Sequence, residues 1–160
     1  MNVTVNRYTP PGLVEGTHYL ISIVKDVGVE CKFVVEIVRL PEEMHPFFYD
    51  QYNADKIEND FYVVNFFDYV IFKQDEGVYR YTPVVNMKFT FKEMREFVND
   101  GLAVAVFDYI ENNNFGAIVA IPMDRGLSWM YNKVLRENEQ NLGYNYNQSY
   151  MEQHIHVIEP

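Results

Sequence analysis

The chain has 160 residues with 13 basic and 23 acidic side chains, which gives a formal charge of −10 at pH 7. This length fits one domain with its own core, and 48% apolar residues are too many for a disordered acidic chain. The acidity argues against direct nucleic-acid binding, which needs clustered Lys and Arg, and it disfavours anionic membrane surfaces. No segment approaches the roughly 20 apolar residues of a membrane span. A single cysteine, Cys31, suits a reducing compartment, so we expect a cytoplasmic protein.

We expect one α+β domain over residues 1–160, in which antiparallel β-hairpins form a sheet and two helices pack on one face of it. Residues 1–16 carry two prolines and two glycines and are predicted to form an irregular arm. Alternating apolar residues predict hairpins over 17–40 and 60–82. Between them, the polar-aromatic residues 47–60 have no clear period and are predicted to form a long surface loop.

Two helices have clear start signals. Thr90 and Glu93 have the spacing of a capping box and predict a helix over 90–100. Asp124 is predicted to cap a second helix over 125–142, where apolar residues recur with the helical period.

The remaining elements are predicted from turn residues and alternation. Gly101 is expected to end the first helix, and a hairpin is predicted over 102–121 around the asparagines at 112–114. The tail, residues 144–160, is predicted to be loosely ordered or to add an edge strand at 154–158, where polar and apolar residues alternate.

His154 and His156 are the best candidates for a metal site. Residues two apart on a strand share a face, so their imidazoles would converge on one cation. The spacing nominates no third ligand, and terminal histidines are commonly just solvated. The sequence contains no nucleotide-binding glycine motif, HExxH or CxxC, and no cofactor is predicted.

Aromatic residues are in surplus, with 13 Tyr, 12 Phe and 1 Trp. A core of this size does not easily hold all of them, so we expect tyrosines in polar segments to lie at the surface. Rigid amphipathic side chains of this kind are favoured in protein interfaces. The interpretation that they only line the solvent rim of a sheet stays open. The predicted partner-binding residues are Tyr49, Tyr52, Asp55, Glu58, Tyr144, Tyr146 and Tyr150.

In size, acidity, richness in Tyr, Phe and Asn, and near absence of cysteine, the chain resembles small acidic proteins that bacteriophages encode to disable a host enzyme. Inhibitors of the host ATP-dependent Lon protease are similar in size and character. The resemblance implies a non-enzymatic inhibitor that acts in the host cytoplasm. It rests on bulk properties and transfers no site residues.

The leading hypothesis is a non-enzymatic protein that binds a larger host enzyme with a basic surface and blocks it sterically or conformationally. A second hypothesis is a DNA mimic that inhibits a DNA-binding protein. A third is a metal-assisted hydrolase that uses His154 and His156. The sequence leaves open whether the chain forms a homodimer.

Overall fold

The structure is a computed structural model that describes residues 1–12, 14–74 and 89–160, and over these ranges it has the predicted α+β fold. The strands are β1 (Asn2–Tyr8), β2 (Thr17–Val24), β3 (Glu30–Arg39), β4 (Phe61–Asp68), β5 (Ala117–Ala120), β6 (Asn145–Asn147) and β7 (His156–Glu159). The α-helices are α1 (Ala54–Asp60), α2 (Tyr69–Gln74), α3 (Phe91–Phe97), α4 (Ala103–Asn112) and α5 (Arg125–Leu142). Two short 3-10 segments are Glu42–Phe48 and Gln148–Gln153.

The strands form one mixed sheet in the order β1-β2-β3-β4-β5-β7-β6. β1 pairs antiparallel with β2, and β7 pairs antiparallel with both β5 and β6. β4 and β5 run parallel. Because parallel neighbours need a crossover connection, the prediction of a sheet made only of hairpins is wrong at this pair.

The chain divides into two compact units. The first comprises Met1–Glu36 and Asn65–Val106, and the second comprises Ile37–Val64 and Phe107–Pro160. Strands β3 and β4 contribute residues to both. The single domain expected from the sequence stays a prediction.

In the first unit, residues 2–8 form a strand rather than part of an irregular arm. β1 pairs with β2 along its whole length, with Thr4 opposite Ser22. Val3 and Val5 are half-buried, whereas the polar residues between them are exposed. This is the alternation of a half-solvated strand, which the prolines and glycines after residue 9 obscured in the sequence. The hairpin strands predicted over 17–40 are present as β2 and β3.

The capping box is confirmed: the Thr90 hydroxyl accepts a hydrogen bond from the Glu93 amide, and the Glu93 carboxylate accepts one from the Thr90 amide. Gly101 does not end this helix. The backbone continues through a π-helical turn, Val98–Leu102, into α4. A Cβ added at Gly101 would lie 3.2 Å from the Ile21 side chain, so this glycine permits close packing.

The hairpin predicted over 102–121 is therefore wrong in its first half, although β5 falls within its second half. Leu102, Ala105, Val106 and Tyr109 are buried, which is the spacing of one helical face. The asparagines that suggested a turn end the helix instead, because the side chain of Asn112 donates to the Asp108 carbonyl at 2.7 Å.

In the second unit, the loop predicted over 47–60 is partly helical. Asn53 caps α1 by accepting a hydrogen bond from the Lys56 amide at 2.8 Å. The side chain of Ile57 is buried and packs this helix against the core of the unit. Of the hairpin predicted over 60–82, the first strand is present as β4, and residues 69–74 form α2. The last residues of the predicted hairpin, 75–82, lie outside the described ranges. The core of this unit contains Leu40, Phe48, Ile57, Phe61, Val63, Ala117, Val119, Tyr150, Ile155 and Val157.

Helix α5 is confirmed with both its caps. The Asp124 carboxylate accepts a hydrogen bond from the Leu127 amide at 2.8 Å, and Gly143 ends the helix with a φ of 69°. On β7, Val157 packs in the core of this unit, and the neighbouring His156 contacts Ser128 of α5. Because neighbouring residues of a strand point to opposite faces, both faces of β7 are covered. The cover on the core side includes α1, a helix that the sequence did not predict.

The tail is also better ordered than predicted. β7 lies between β5 and β6, so it is an interior strand, and β6 forms the edge. His156, Val157 and Ile158 are buried. None of the helices in the described ranges is long and apolar enough to cross a membrane.

Candidate functional site

Three of the predicted surface tyrosines are buried. The Tyr144 hydroxyl donates to the Leu135 carbonyl at 2.5 Å, and the Tyr150 hydroxyl donates to the Asp50 carboxylate at 3.0 Å. Tyr146 is buried beside His156. The expectation of surface exposure is therefore wrong for Tyr144, Tyr146 and Tyr150. A phenol that places its ring in the core and its hydroxyl on a polar partner is well accommodated inside a protein.

The other four predicted partner-binding residues keep contact with solvent. Tyr49, Asp55 and Glu58 are exposed, and Tyr52 is half-buried. The Tyr52 hydroxyl accepts a hydrogen bond from the Asn147 side chain at 2.8 Å, and burial raises its pKa above the usual range. Tyr52 is thus part of the folded framework, whereas the other three remain surface side chains.

The two candidate metal ligands meet at a serine. Ser128, in the second turn of α5, places its Oγ 2.9 Å from His156 Nε2 and 3.3 Å from His154 Nδ1. On the other side of the imidazole, the Tyr146 hydroxyl lies 2.7 Å from His156 Nδ1. Tyr131 approaches the same ring edge-on, with centroids 5.6 Å apart. The result is a polar cluster between α5 and the β6–β7 pair.

This arrangement does not form the predicted metal site. His154 precedes β7 in a left-handed conformation, with a φ of 57°, so it does not share a strand face with His156. Both ring nitrogens of His156 are engaged by hydroxyl groups. No group of three or more His, Cys, Asp or Glu in the described ranges is placed to hold a metal ion.

The cluster also contains the first requirement of nucleophilic catalysis, a serine hydroxyl beside an imidazole nitrogen. Its surroundings make it a poor catalyst. Ser128 is 3% exposed and His156 is 0% exposed, so a substrate has little access to either group. Burial, with a smaller contribution from His154, lowers the pKa of His156 to about 4, which leaves a weak base at neutral pH. We interpret the cluster as structural.

The sequence did not predict three exposed apolar side chains that lie between the end of β5 and the second turn of α5. Ile121 and Met123 follow β5 and are 43% and 60% exposed, and Trp129 in α5 is 52% exposed. We call these three residues the Trp129 surface. Lys133 lies one helical turn beyond Trp129 and places its ammonium group 5.6 Å from the indole centroid. In the sequence, the signal for this surface is the single tryptophan.

The second unit also contains the end of the parallel ladder, where Val64 lies opposite Ala120, and α5 begins shortly after β5. Tyr131 is half-buried on α5. Burial and the nearby Asp124 carboxylate raise the pKa of the Tyr131 phenol. In open sheets, the carboxyl ends of parallel strands are where ligands commonly bind.

Comparison with protein-family models found no match, and comparisons with curated proteins and with solved structures found no significant similarity.

Proposed function

We propose that this protein is a non-enzymatic protein-binding protein and that the Trp129 surface is its anchor. The observation that carries the proposal is the exposure of an indole, a thioether and a branched aliphatic chain within a few residues of the Asp124 cap. Tryptophan and methionine are enriched in protein interfaces, and tryptophan is among the residues that most often dominate their energetics.

The backbone beneath this surface is held in place. Pro122 is buried between Ile121 and Met123, and the Asp124 carboxylate fixes the start of the helix. Leu127, Ser128 and Met130 are buried around Trp129. An exposed side chain on a rigid element loses little conformational entropy on binding, which favours its use as an anchor.

Charge supports a basic partner. A net charge of −10 speeds the encounter with a positively charged protein and disfavours acidic ones. We propose further that the partner is a larger enzyme which the bound chain inhibits by occlusion or conformational locking. An ATP-dependent protease is the first enzyme to assay, because the bulk resemblance implies this target.

The test uses the full chain and two single-residue variants. Trp129→Ala removes the proposed anchor, whereas Tyr49→Ala removes an exposed aromatic residue that lies elsewhere in the sequence. We expect Trp129→Ala to weaken the isolated complex at least tenfold, as loss of a central anchor does. We expect Tyr49→Ala to bind within about twofold of the parent chain. Loss of binding in Tyr49→Ala but not in Trp129→Ala would instead place the interface at the predicted surface tyrosines.

A second candidate is the binding of a small molecule at the carboxyl end of β5, within the second unit. The parallel pair favours it, because such ends leave backbone groups available to a ligand. The half-buried Tyr131 supplies a phenol with a raised pKa, which stays a hydrogen-bond donor at neutral pH. This candidate would make the chain a binding protein for a metabolite, or an enzyme.

A panel of soluble cofactors tests the second candidate: adenine and nicotinamide nucleotides, acyl-coenzyme A and S-adenosylmethionine. Binding would raise the thermal midpoint in proportion to ligand concentration. Tyr131→Phe would reduce that shift, whereas Tyr49→Phe would not. Unchanged midpoints across the panel would count against a ligand of these classes.

A further inference from the structure

Among the strands that the structure describes, β1 lies at one edge of the sheet. It is seven residues long, and β2 is its only neighbour among the described strands. Such an edge presents a row of backbone donors and acceptors to any strand that approaches it. The opposite edge of the sheet, β6, has only three residues.

β1 also lacks the features that usually protect an edge. It contains no proline, lysine, aspartate or glutamate, and Arg7 is its only charged side chain. Val3 and Val5 are half-buried on one face, and Asn2, Thr4 and Asn6 are exposed on the other. A strand with one apolar face and few charges fits the edge of another sheet.

The sequence of β1 identifies the partner strand. Residues 2–6 read Asn-Val-Thr-Val-Asn, which is the same in both directions about Thr4. Two copies paired antiparallel about a two-fold axis at Thr4 would place Thr4 opposite Thr4. Each Val3 would then face Val5 of the second copy, and each Asn2 would face Asn6. Thr–Thr and paired β-branched residues are favourable cross-strand neighbours.

We propose that two copies of this chain associate through their β1 strands, antiparallel and centred on Thr4. The interface is isologous, as two-fold symmetry requires, and it continues the strand ladder from one copy into the other. The inference is independent of the proposed protein partner, because β1 belongs to the first unit and the Trp129 surface belongs to the second.

The size of this edge limits the strength of the dimer. Seven residues span roughly 24 Å at about 3.4 Å per residue. One strand edge of that length buries well below the roughly 1,200 Å² of a standard interface. We therefore expect reversible dimerisation with a dissociation constant in the micromolar range or weaker.

Charge substitutions at the axis test the register. In Thr4→Lys, two ammonium groups face each other across the axis, and in Thr4→Glu two carboxylates do. Like charges directly opposite destabilise a strand pair. Sedimentation velocity over a range of concentrations should show self-association weakened at least tenfold in each variant. An equimolar mixture of the two variants should restore dimers, because an ammonium group of one copy then faces a carboxylate of the other.

Ser22→Lys is the matched control. Ser22 lies opposite Thr4 on β2, so the two introduced charges would be about three strand spacings apart, roughly 14 Å, beyond the screening length of about 8 Å at physiological salt. This variant should dimerise like the parent chain. Concentration-dependent slowing of amide exchange in β1, but not in β6, would report the same contact without any substitution.

Three outcomes would overturn the proposal: a parent chain that stays monomeric at millimolar concentration, a dimer equally strong in Thr4→Lys, or a mixture that fails to restore dimers. Binding of the protein partner by a monomeric chain would separate failure of this inference from failure of the proposed function.

Discussion

At the residue scale, His156 illustrates how burial decides the role of a histidine. The sequence predicted that His154 and His156 share a strand face, but His154 lies before β7, and both rings meet Ser128, which lies 26 residues before His154 in a helix. The serine and Tyr146 occupy both ring nitrogens of His156, so the imidazole is satisfied as a neutral group. Spacing within a strand predicts which side chains share a face, but it does not predict what a helix brings to that face.

Protonation of His156 should couple stability to pH. Its pKa is lowered from 6.5 to about 4 in the folded chain, so the unfolded chain takes up the proton first as the pH falls. The free energy of unfolding should therefore decrease between about pH 6.5 and pH 4, by roughly 3 kcal/mol in total from this residue. Urea unfolding across this range measures the effect.

Two variants isolate the contribution of His156. His156→Gln retains a donor and an acceptor but does not titrate, so its unfolding free energy should depend less on pH. His154→Asn is the comparison variant, in which the exposed neighbouring histidine is replaced. Asparagine tolerates the left-handed backbone at this position. An equal pH slope in His156→Gln and the parent chain would contradict the assignment.

Ser128→Ala should lower the free energy of unfolding without changing the fold. The substitution leaves His156 Nε2 buried without its hydroxyl partner, and an unsatisfied buried polar group costs about 1–3 kcal/mol. Ser149→Ala, at an exposed position, should change the unfolding free energy by less than about 0.5 kcal/mol. Equal stability of the two variants would mean that the cluster adds little to the fold.

At the element scale, local signals in the sequence were reliable and long-range ones were not. The caps at Thr90 and Asp124 correctly predicted where two helices begin, because a cap depends only on residues within one turn. The segment 102–121 was misassigned because its valines and aromatics suit both a strand and a buried helix. Periodicity in a short apolar segment does not separate the two states.

The parallel pair depends on a glycine at its start. The Gly116 amide donates to the Asp60 carbonyl at 2.8 Å, and a Cβ at residue 116 would lie 2.7 Å from Asp60 Cβ. Gly116→Ala should therefore displace the strand ends and cost roughly 1–3 kcal/mol. Chemical denaturation measures the loss.

Gly143→Ala is a useful comparison for Gly116→Ala. Its Cβ would enter open space, so only the left-handed backbone, with a φ of 69°, opposes the substitution. We expect a cost of about 1 kcal/mol there. A smaller loss in Gly116→Ala than in Gly143→Ala would argue against close contact at the β4–β5 junction.

At the scale of the whole molecule, the pattern of predicted elements gave the α+β class correctly, but composition misjudged where the aromatic residues lie. The excess of tyrosine suggested an exposed surface, yet Tyr144, Tyr146 and Tyr150 are buried with polar partners for their hydroxyls. Composition counts rings but not hydrogen-bond partners, which lie nine residues away for Tyr144, ten for Tyr146 and 100 for Tyr150. Of the candidate partner-binding residues, Tyr49, directly after Glu42–Phe48, and Asp55 and Glu58, on α1, are exposed.

The net charge should affect the rate of association more than its strength. For a basic partner, the association rate constant should fall steeply as salt shortens the screening length from about 8 Å at 0.15 M to about 3 Å at 1 M. Trp129→Ala should mainly raise the dissociation rate constant and leave this salt dependence unchanged. Surface plasmon resonance over a salt series separates the two constants. An association rate that is insensitive to salt would contradict electrostatic steering.

The position of Trp129 has an optical consequence. It is the only indole in the chain, and about half of it faces water. Its fluorescence should therefore be red-shifted and open to quenching by acrylamide while the chain is alone. Any molecule that covers the Trp129 surface would shift the emission to shorter wavelengths and shield the indole from acrylamide. Binding at this surface can therefore be followed by the fluorescence of the unlabelled protein.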